Sequence, residues 1–203
     1  KPMILSTGMN DLESVKRSVD VVRKHKVPLA LMHCTSMYPT PYEKVRLGAV
    51  SQLIEEFPGL PIGLSDHSIN IWTCLGAVAL GASLVEKHFT PSRSWAGPDV
   101  GISIEPDELK RMIDGTKAIW QARDGEKTVL DEEKPVIDFA YATVVTIAPI
   151  KAGETFSKDN IWAKRPGVGP IHATRMDDVL NKKAAQDIPE DVHVYPEHII
   201  NFK

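Results

Sequence analysis

An α/β fold built on a parallel sheet is predicted by three features of the sequence. Short apolar runs alternate with amphipathic stretches, the runs lack the in-and-out alternation of a half-exposed sheet, and each ends on polar residues. The runs span residues 3–7, 29–35, 62–67 and 83–89. After the first, Leu12, Val15, Val19 and Val22 recur at helical spacing behind a polar cap at Asn10-Asp11. After the second, Val45, Ala49, Val50, Leu53, Ile54 and Phe57 predict one helix, stopped by Pro58-Gly59. A largely apolar helix is expected over 69–80, with Ile71, Leu75 and Val78 as its core stripe. Glu105-Pro106 opens the last, whose stripe is Leu109, Met112, Ile113, Ile119 and Trp120. Four such units fit either an open doubly wound sheet or half of a (β/α)8 barrel, since a whole barrel needs about 250 residues. The opening Lys1-Pro2, running directly into a strand, suggests a fragment and favours the half-barrel.

Composition narrows the function classes. The chain has 203 residues, 42% hydrophobic and 25% charged, with net charge −3. No basic stripe is present, which argues against nucleic acid as the main partner. No apolar run approaches the roughly 18 residues of a membrane span, and no signal-peptide layout opens the sequence. Cys34 and Cys74 fit no metal or redox spacing, so both are expected as reduced core thiols of a cytoplasmic protein.

From about Gly125 the texture changes. Residues 126–135 are polar and predict a linker, and short β-like pieces follow at 142–147 and 160–163. A weak repeat matches Ile150, Phe156 and Ile161 with Ile188, Val194 and Ile199, 38 residues on, with Gly153 opposite Asp191. It suggests a small pseudo-symmetric β domain of about 60 residues, near the lower limit for independent folding.

In parallel α/β folds the reactive groups gather at the C-terminal ends of the strands. These ends are Ser6-Thr7-Gly8, Thr35-Ser36, Ser65-Asp66-His67 and Glu86-Lys87-His88. Strand alternation puts Ser65 with His67 and Glu86 with His88, so the two imidazoles can converge from neighbouring strand ends. Two neutral imidazoles suit a divalent cation with open coordination positions; the plainer alternative is that each caps a buried polar network. The Ser/Thr-rich ends suit an anion, or ordinary helix capping. Asp99 and Tyr38 lie on loops leaving the same face, where turn and capping roles are commonest. Arg165, before Pro166-Gly167, is either solvated or a planar group for a polar ligand. Asp66, Lys87 and His33 are expected to be structural, ion-paired or hydrogen-bonded at strand ends.

Six ordered motifs resemble the sialic acid (N-acylneuraminate) synthase family. They are Lys1-Pro2-Met3-Ile4-Leu5-Ser6-Thr7-Gly8-Met9, His33-Cys34-Thr35-Ser36-Met37-Tyr38-Pro39, Gly63-Leu64-Ser65-Asp66-His67, Glu86-Lys87-His88-Phe89-Thr90, Gly97-Pro98-Asp99 and Lys164-Arg165-Pro166-Gly167. The resemblance covers essentially the whole chain. It implies the last four βα units of a (β/α)8 TIM barrel (residues 1–124), a linker (125–137) and a small β-clip antifreeze-like (SAF) domain (138–203). It further implies condensation of phosphoenolpyruvate with an N-acylated amino-hexose, either N-acetylmannosamine or a diacetamido-trideoxyhexose, to a nonulosonic acid with release of phosphate. His67 and His88 match the family's ligands for Mn²⁺ or Mg²⁺. Ser6, Ser36 and Ser65 match positions near phosphoenolpyruvate, although some members carry asparagine in place of Ser36. Tyr38 and Asp99 match sugar-binding positions. Arg165 matches an arginine inserted into the partner's site in a domain-exchanged homodimer. By the same resemblance, four further βα units carry other phosphoenolpyruvate contacts and the catalytic base, and the fragment alone is expected to be inactive. Two other readings stand beside this one: a carbohydrate-binding module on an inactive barrel scaffold, and a two-histidine metal-dependent aldolase or hydrolase.

Overall fold

The computed structural model describes residues 1–202 and divides into two compact units, Lys1–Glu126 and Lys127–Lys203. In the first, β1 (Met3–Ser6), β2 (Leu29–Cys34), β3 (Ile62–Asp66) and β4 (Leu84–Lys87) form a wholly parallel sheet in that order. The central strands β2 and β3 are buried along their whole length, which explains why both are apolar up to their polar C-terminal ends. Gly63 is needed on β3, because a Cβ there would lie 2.6 Å from the Leu84 carbonyl oxygen and 2.5 Å from Met32 Sδ.

Each strand returns through a helix with identifiable ends. In α1 (Leu12–Lys24) the Asp11 carboxylate accepts from Ser14 N, with Glu13 in the first turn and Arg23 and Lys24 in the last. Val15 and Val19 turn inward onto Leu29, Leu31, Ile62 and Leu64. The helix expected from Val45 to Phe57 is two, α2 (Tyr42–Val45) and α3 (Gly48–Glu56), because Arg46 takes a left-handed conformation, φ 54°. In α4 (Trp72–Ala79) the buried face is Thr73, Cys74, Ala77 and Val78, whereas Ile71 and Leu75 are only half-buried. Of the expected stripe Val78 is buried, Ile71 packs on the edge of a core cluster and Leu75 is half-buried, since an almost wholly apolar helix carries little directional signal. The α5 helix (Pro106–Ala122) begins at a capping box between Glu105 and Glu108 with proline in its first turn. It buries Met112 and leaves Ile113 and Trp120 exposed.

In the second unit, the segment read as a linker contains a 3₁₀ turn, Asp131–Glu133, and the start of α6 (Lys134–Ala140). Strands β5 (Thr143–Thr146) and β6 (Ile161–Lys164) pair antiparallel, and α7 (Met176–Val179) packs on the same core through Val179. The sequence repeat is physical. Ile150, Phe156, Ile161, Ile188, Val194 and Ile199 are all in one buried cluster. Ile150 and Ile188 exchange both backbone hydrogen bonds, at 2.9 and 2.8 Å. The bond from Gly153 N to Ala184 O (2.8 Å) recurs as Asp191 N to Thr146 O (2.9 Å), and Ile147 N to Asn160 O as Ala185 N to His198 O. Asn160 Oδ1 accepts from Ser157 N just as His198 Nδ1 accepts from Tyr195 N. Each partner set maps onto the other under exchange of the two halves, as a local two-fold axis requires. Gly153 and Asp191, unlike in chemistry, share a left-handed backbone, φ 81° and 65°.

That equivalence makes Gly153→Ala costly by about 1–2 kcal/mol although no atom lies within 4 Å of the added Cβ, while Asp191→Gly changes stability by less. Urea denaturation of the two variants beside the parent protein measures both.

Candidate active site

The sheet face is set by register. Cys34, Ser65 and Glu86 are consecutive Cα partners, and Ser6, Met32, Gly63 and Leu84 form the row beneath them on the same face. One step beyond, at the strand ends, His67 and His88 project to this side. Their ring centroids are 5.2 Å apart, and the Tyr38 ring lies 4.1 Å from that of His67 and 5.9 Å from that of His88. Asp99, held in a left-handed conformation after Pro98, brings Oδ2 to 4.0 Å from His88 Nδ1. His67 is only 7% exposed. Its Nδ1 lies 3.1 Å from the Thr35 carbonyl, which can only accept, so Nδ1 carries the proton and Nε2 is the nitrogen left for a ligand.

The other expected residues take distinct places. Ser65 Oγ donates to Glu86 Oε1 at 2.7 Å, an acceptor that sequence reasoning did not single out, although its parity with His88 put it on this face. Ser36 Oγ lies 3.9 Å from Cys34 Sγ and against Gly8, where a Cβ would approach it to 2.4 Å. Ser6 is exposed at the end of β1, on the sheet face shared with Ser65. A cleft of about 220 Å³ beside β4 is lined by Ser65, Glu86 and His88 together with Asp66 and Lys87. Arg165 belongs to the second unit, where it is exposed in the turn after β6. That turn is anchored by Gly167 N donating to Asp138 O at 2.7 Å.

The residues expected to be ion-paired or hydrogen-bonded at the strand ends are so. Asp66 and Lys87 form a buried ion pair, Nζ to Oδ2 2.6 Å. His33, also buried, donates from Nε2 to the Val45 carbonyl at 2.7 Å, and loss of hydration holds its pKa below the ordinary histidine value. Both thiols are free and buried. Burial, with Asp66 close by, pushes the Cys74 thiol up to about 12.

Among the described residues no group of three or more His, Cys, Asp or Glu is placed to hold a metal. A pair remains. Imidazole nitrogens at about 2.1 Å from one ion put their ring centroids on the order of 5 Å apart. His67 and His88 meet that spacing, with neutral nitrogen donors suited to a borderline divalent ion and room for oxygen ligands from elsewhere.

A family model described as NeuB family matches residues 1–128, and one described as SAF domain matches residues 141–200. This chain belongs to the NeuB family. It is 39% identical over 94% of its length to the N,N'-diacetyllegionaminic acid synthase of Campylobacter jejuni, and covers 58% of that protein. It is 35% identical over 93% of its length to the pseudaminic acid synthase of the same species, covering 54% of it. A solved structure, the N-acetylneuraminic acid (sialic acid) synthetase of Leptospira borgpetersenii in complex with citrate, matches with TM-score 0.62 and 36% identity over 67% of this chain and 48% of that one. The chain thus spans little more than half the length of its NeuB relatives. Its sheet is four consecutive βα units of a (β/α)8 barrel, and its small β unit is an SAF domain.

His33 gives the unit a pH signature. Its depressed folded pKa means that its stabilising effect is complete above the ordinary value of about 6.5 and is lost as pH falls through the lower folded value. Unfolding free energies should therefore decline as pH falls through about 6.5 and below, and less steeply in His33→Gln, when followed by urea titration.

Proposed function

We propose that the protein is a phosphoenolpyruvate-dependent synthase that condenses this substrate with an N-acylated amino-hexose and releases phosphate. The observation that carries the proposal is the convergence of His67, His88, Tyr38 and Asp99 at the mouth of the sheet. The relatives' names, which span legionaminic, pseudaminic and N-acetylneuraminic acid synthesis, support the class of product rather than one sugar.

His67 and His88 would hold Mn²⁺ or Mg²⁺, whose contribution when bound is Lewis-acid polarisation of the sugar's aldehyde oxygen. The protein's own groups do the rest. The Thr35 carbonyl fixes the His67 tautomer, and the Tyr38 ring covers that imidazole, limiting its rotation and the access of water. Tyr38 and Asp99, both partly exposed beside the pair, offer a ring face and a carboxylate to the sugar and its hydroxyls. Ser6, Ser36 and Ser65 supply hydroxyls for the carboxylate and phosphate of phosphoenolpyruvate. Ser65 is engaged with Glu86, so that anion must displace Glu86 as acceptor when it binds. C3 of phosphoenolpyruvate then bonds to the aldehyde carbon, water adds at C2, and phosphate leaves with the C2–O electron pair. Holding two substrates side by side is the main task of such a site, and effective molarities of about 10⁵ M and above are within reach of positioning alone.

Arg165 fits the role of an N-acyl contact delivered to the site of a second subunit, in a homodimer that exchanges SAF domains. Its exposure and its anchored turn support that reading. Free buried thiols suit a cytoplasmic setting, and no described helix is long and apolar enough to cross a membrane.

In the intact protein, His67→Ala and His88→Ala should each abolish phosphate release that depends on both substrates, as should chelation of the metal. A coupled phosphate assay with N-acetylmannosamine and with diacetamido-trideoxyhexoses reads this directly, and normal turnover by either variant in Mn²⁺ would refute the proposal. Arg165→Ala should raise KM for the sugar about tenfold or more with a smaller change in kcat, and compress the preference among N-acyl groups.

A further inference from the structure

On the helix-facing side of the sheet lies a charged pair for which the condensation has no use. Asp66 and Lys87 are Cα register partners on β3 and β4, and both side chains are 1% exposed. Asp66 Oδ2 accepts from Lys87 Nζ at 2.6 Å, from Ser68 Oγ at 2.9 Å and from the Cys74 thiol at 3.7 Å, and Oδ1 accepts from Ser68 N at 3.2 Å. Thr73 Oγ1, from α4, lies 2.8 Å from Ser68 Oγ. Lys87 makes a second bond, to the Ser68 carbonyl. Two features of this network bear on the site. Asp66 and Lys87 each immediately precede an imidazole of the cluster, His67 and His88. The second lysine bond closes on the residue that follows His67, so both flanks of that histidine are tied to the strand that carries the other.

We propose that the Asp66–Lys87 pair is a positioning element, which sets the spacing and direction of His67 and His88 for one shared divalent ion. The inference rests on the two-histidine reading above. A buried ion pair is a weak source of stability, because desolvation of both charges offsets much of their attraction, and apolar residues of similar volume often serve a fold as well. What apolar residues do not supply is direction. Here the bonds fix strand register, the turn at Ser68 and the top of α4 against one another, and the imidazoles are mounted on those fixed points. The pair bonds neither imidazole directly and acts on them through the backbone at 66–68 and 87–88; groups bonded directly to metal ligands commonly alter metal affinity by about 10–100-fold when removed, which sets the scale.

The test uses Mn²⁺ as the probe, titrated into the intact, metal-stripped protein with free ion counted by electron paramagnetic resonance, and thermal unfolding followed alongside. His67→Ala and His88→Ala should bind Mn²⁺ far more weakly than the parent; if they bind it equally well, the two-histidine reading itself fails. Given that control, Asp66→Asn/Lys87→Met, which leaves no buried charge unpaired, should fold and bind Mn²⁺ about 10–100-fold more weakly. Parental affinity in the folded double variant would overturn the proposal. Should the double variant not fold, Asp66→Asn alone, of equal size and retaining an acceptor, should lower affinity in the same direction, and parental affinity there would overturn it equally. Loss of folding in both would make the pair a structural element and overturn the positioning role.

Discussion

The parallel register of β3 on β4 is the constraint on which the rest of the site depends. It opposes Ser65 to Glu86 and Asp66 to Lys87, and so brings His67 and His88 to the same height on the same face. Because side chains alternate, a slip of β4 by one residue would turn His88 toward the helices and Lys87 toward the site, separating each from its partner on β3. Several independent features hold this register. Gly63 permits the close approach of Leu84, the buried ion pair links the two strands, and α4 packs against them through Cys74, Ala77 and Val78. The proposed site lies on the inner face, and the bonds proposed to position it lie on the outer.

The two faces also differ in their electrostatics. On the outer face every charge has a partner within a dry environment, and the Cys74 thiol beside Asp66 stays protonated across the physiological range. On the inner face Glu86, His88 and Asp99 remain partly open to solvent and make few bonds. That openness suits the exchange of partners with substrate and metal that the proposed function asks of them, since a fully satisfied buried network resists rearrangement.

Much of this is legible in the sequence because, once a strand is recognised, its two-residue repeat assigns each residue to a face. Parity alone groups Ser65 with His67 and Glu86 with His88, and the absence of polar alternation before their polar ends identifies β2 and β3 as covered strands. The repeat in the second unit was legible for a similar reason: its matched positions are all core, whereas turn chemistry diverged once Asp191 could adopt the backbone that Gly153 adopts. What local pattern does not encode is geometry made by loops and by contacts distant in sequence. The stacking of Tyr38 on His67, the approach of Asp99 to His88 and the bond from Ser65 to Glu86 join residues 11 to 29 positions apart. On α4 the sequence indicates Val78 but not Thr73, Cys74 and Ala77, because nearly every residue there is apolar. The break at Arg46 was missed because left-handed arginine has no sequence signature.

The central claim is that two imidazoles from adjacent strand ends meet at one divalent ion. Pulsed electron paramagnetic resonance of the Mn²⁺-loaded intact protein tests it without recourse to turnover, because directly bound imidazole nitrogens couple to the manganese electron spin. Coupling to two imidazole nitrogens in the parent protein, falling to one in His67→Ala and in His88→Ala, is the expected result. A spectrum without nitrogen coupling, or one indifferent to both substitutions, would contradict the account.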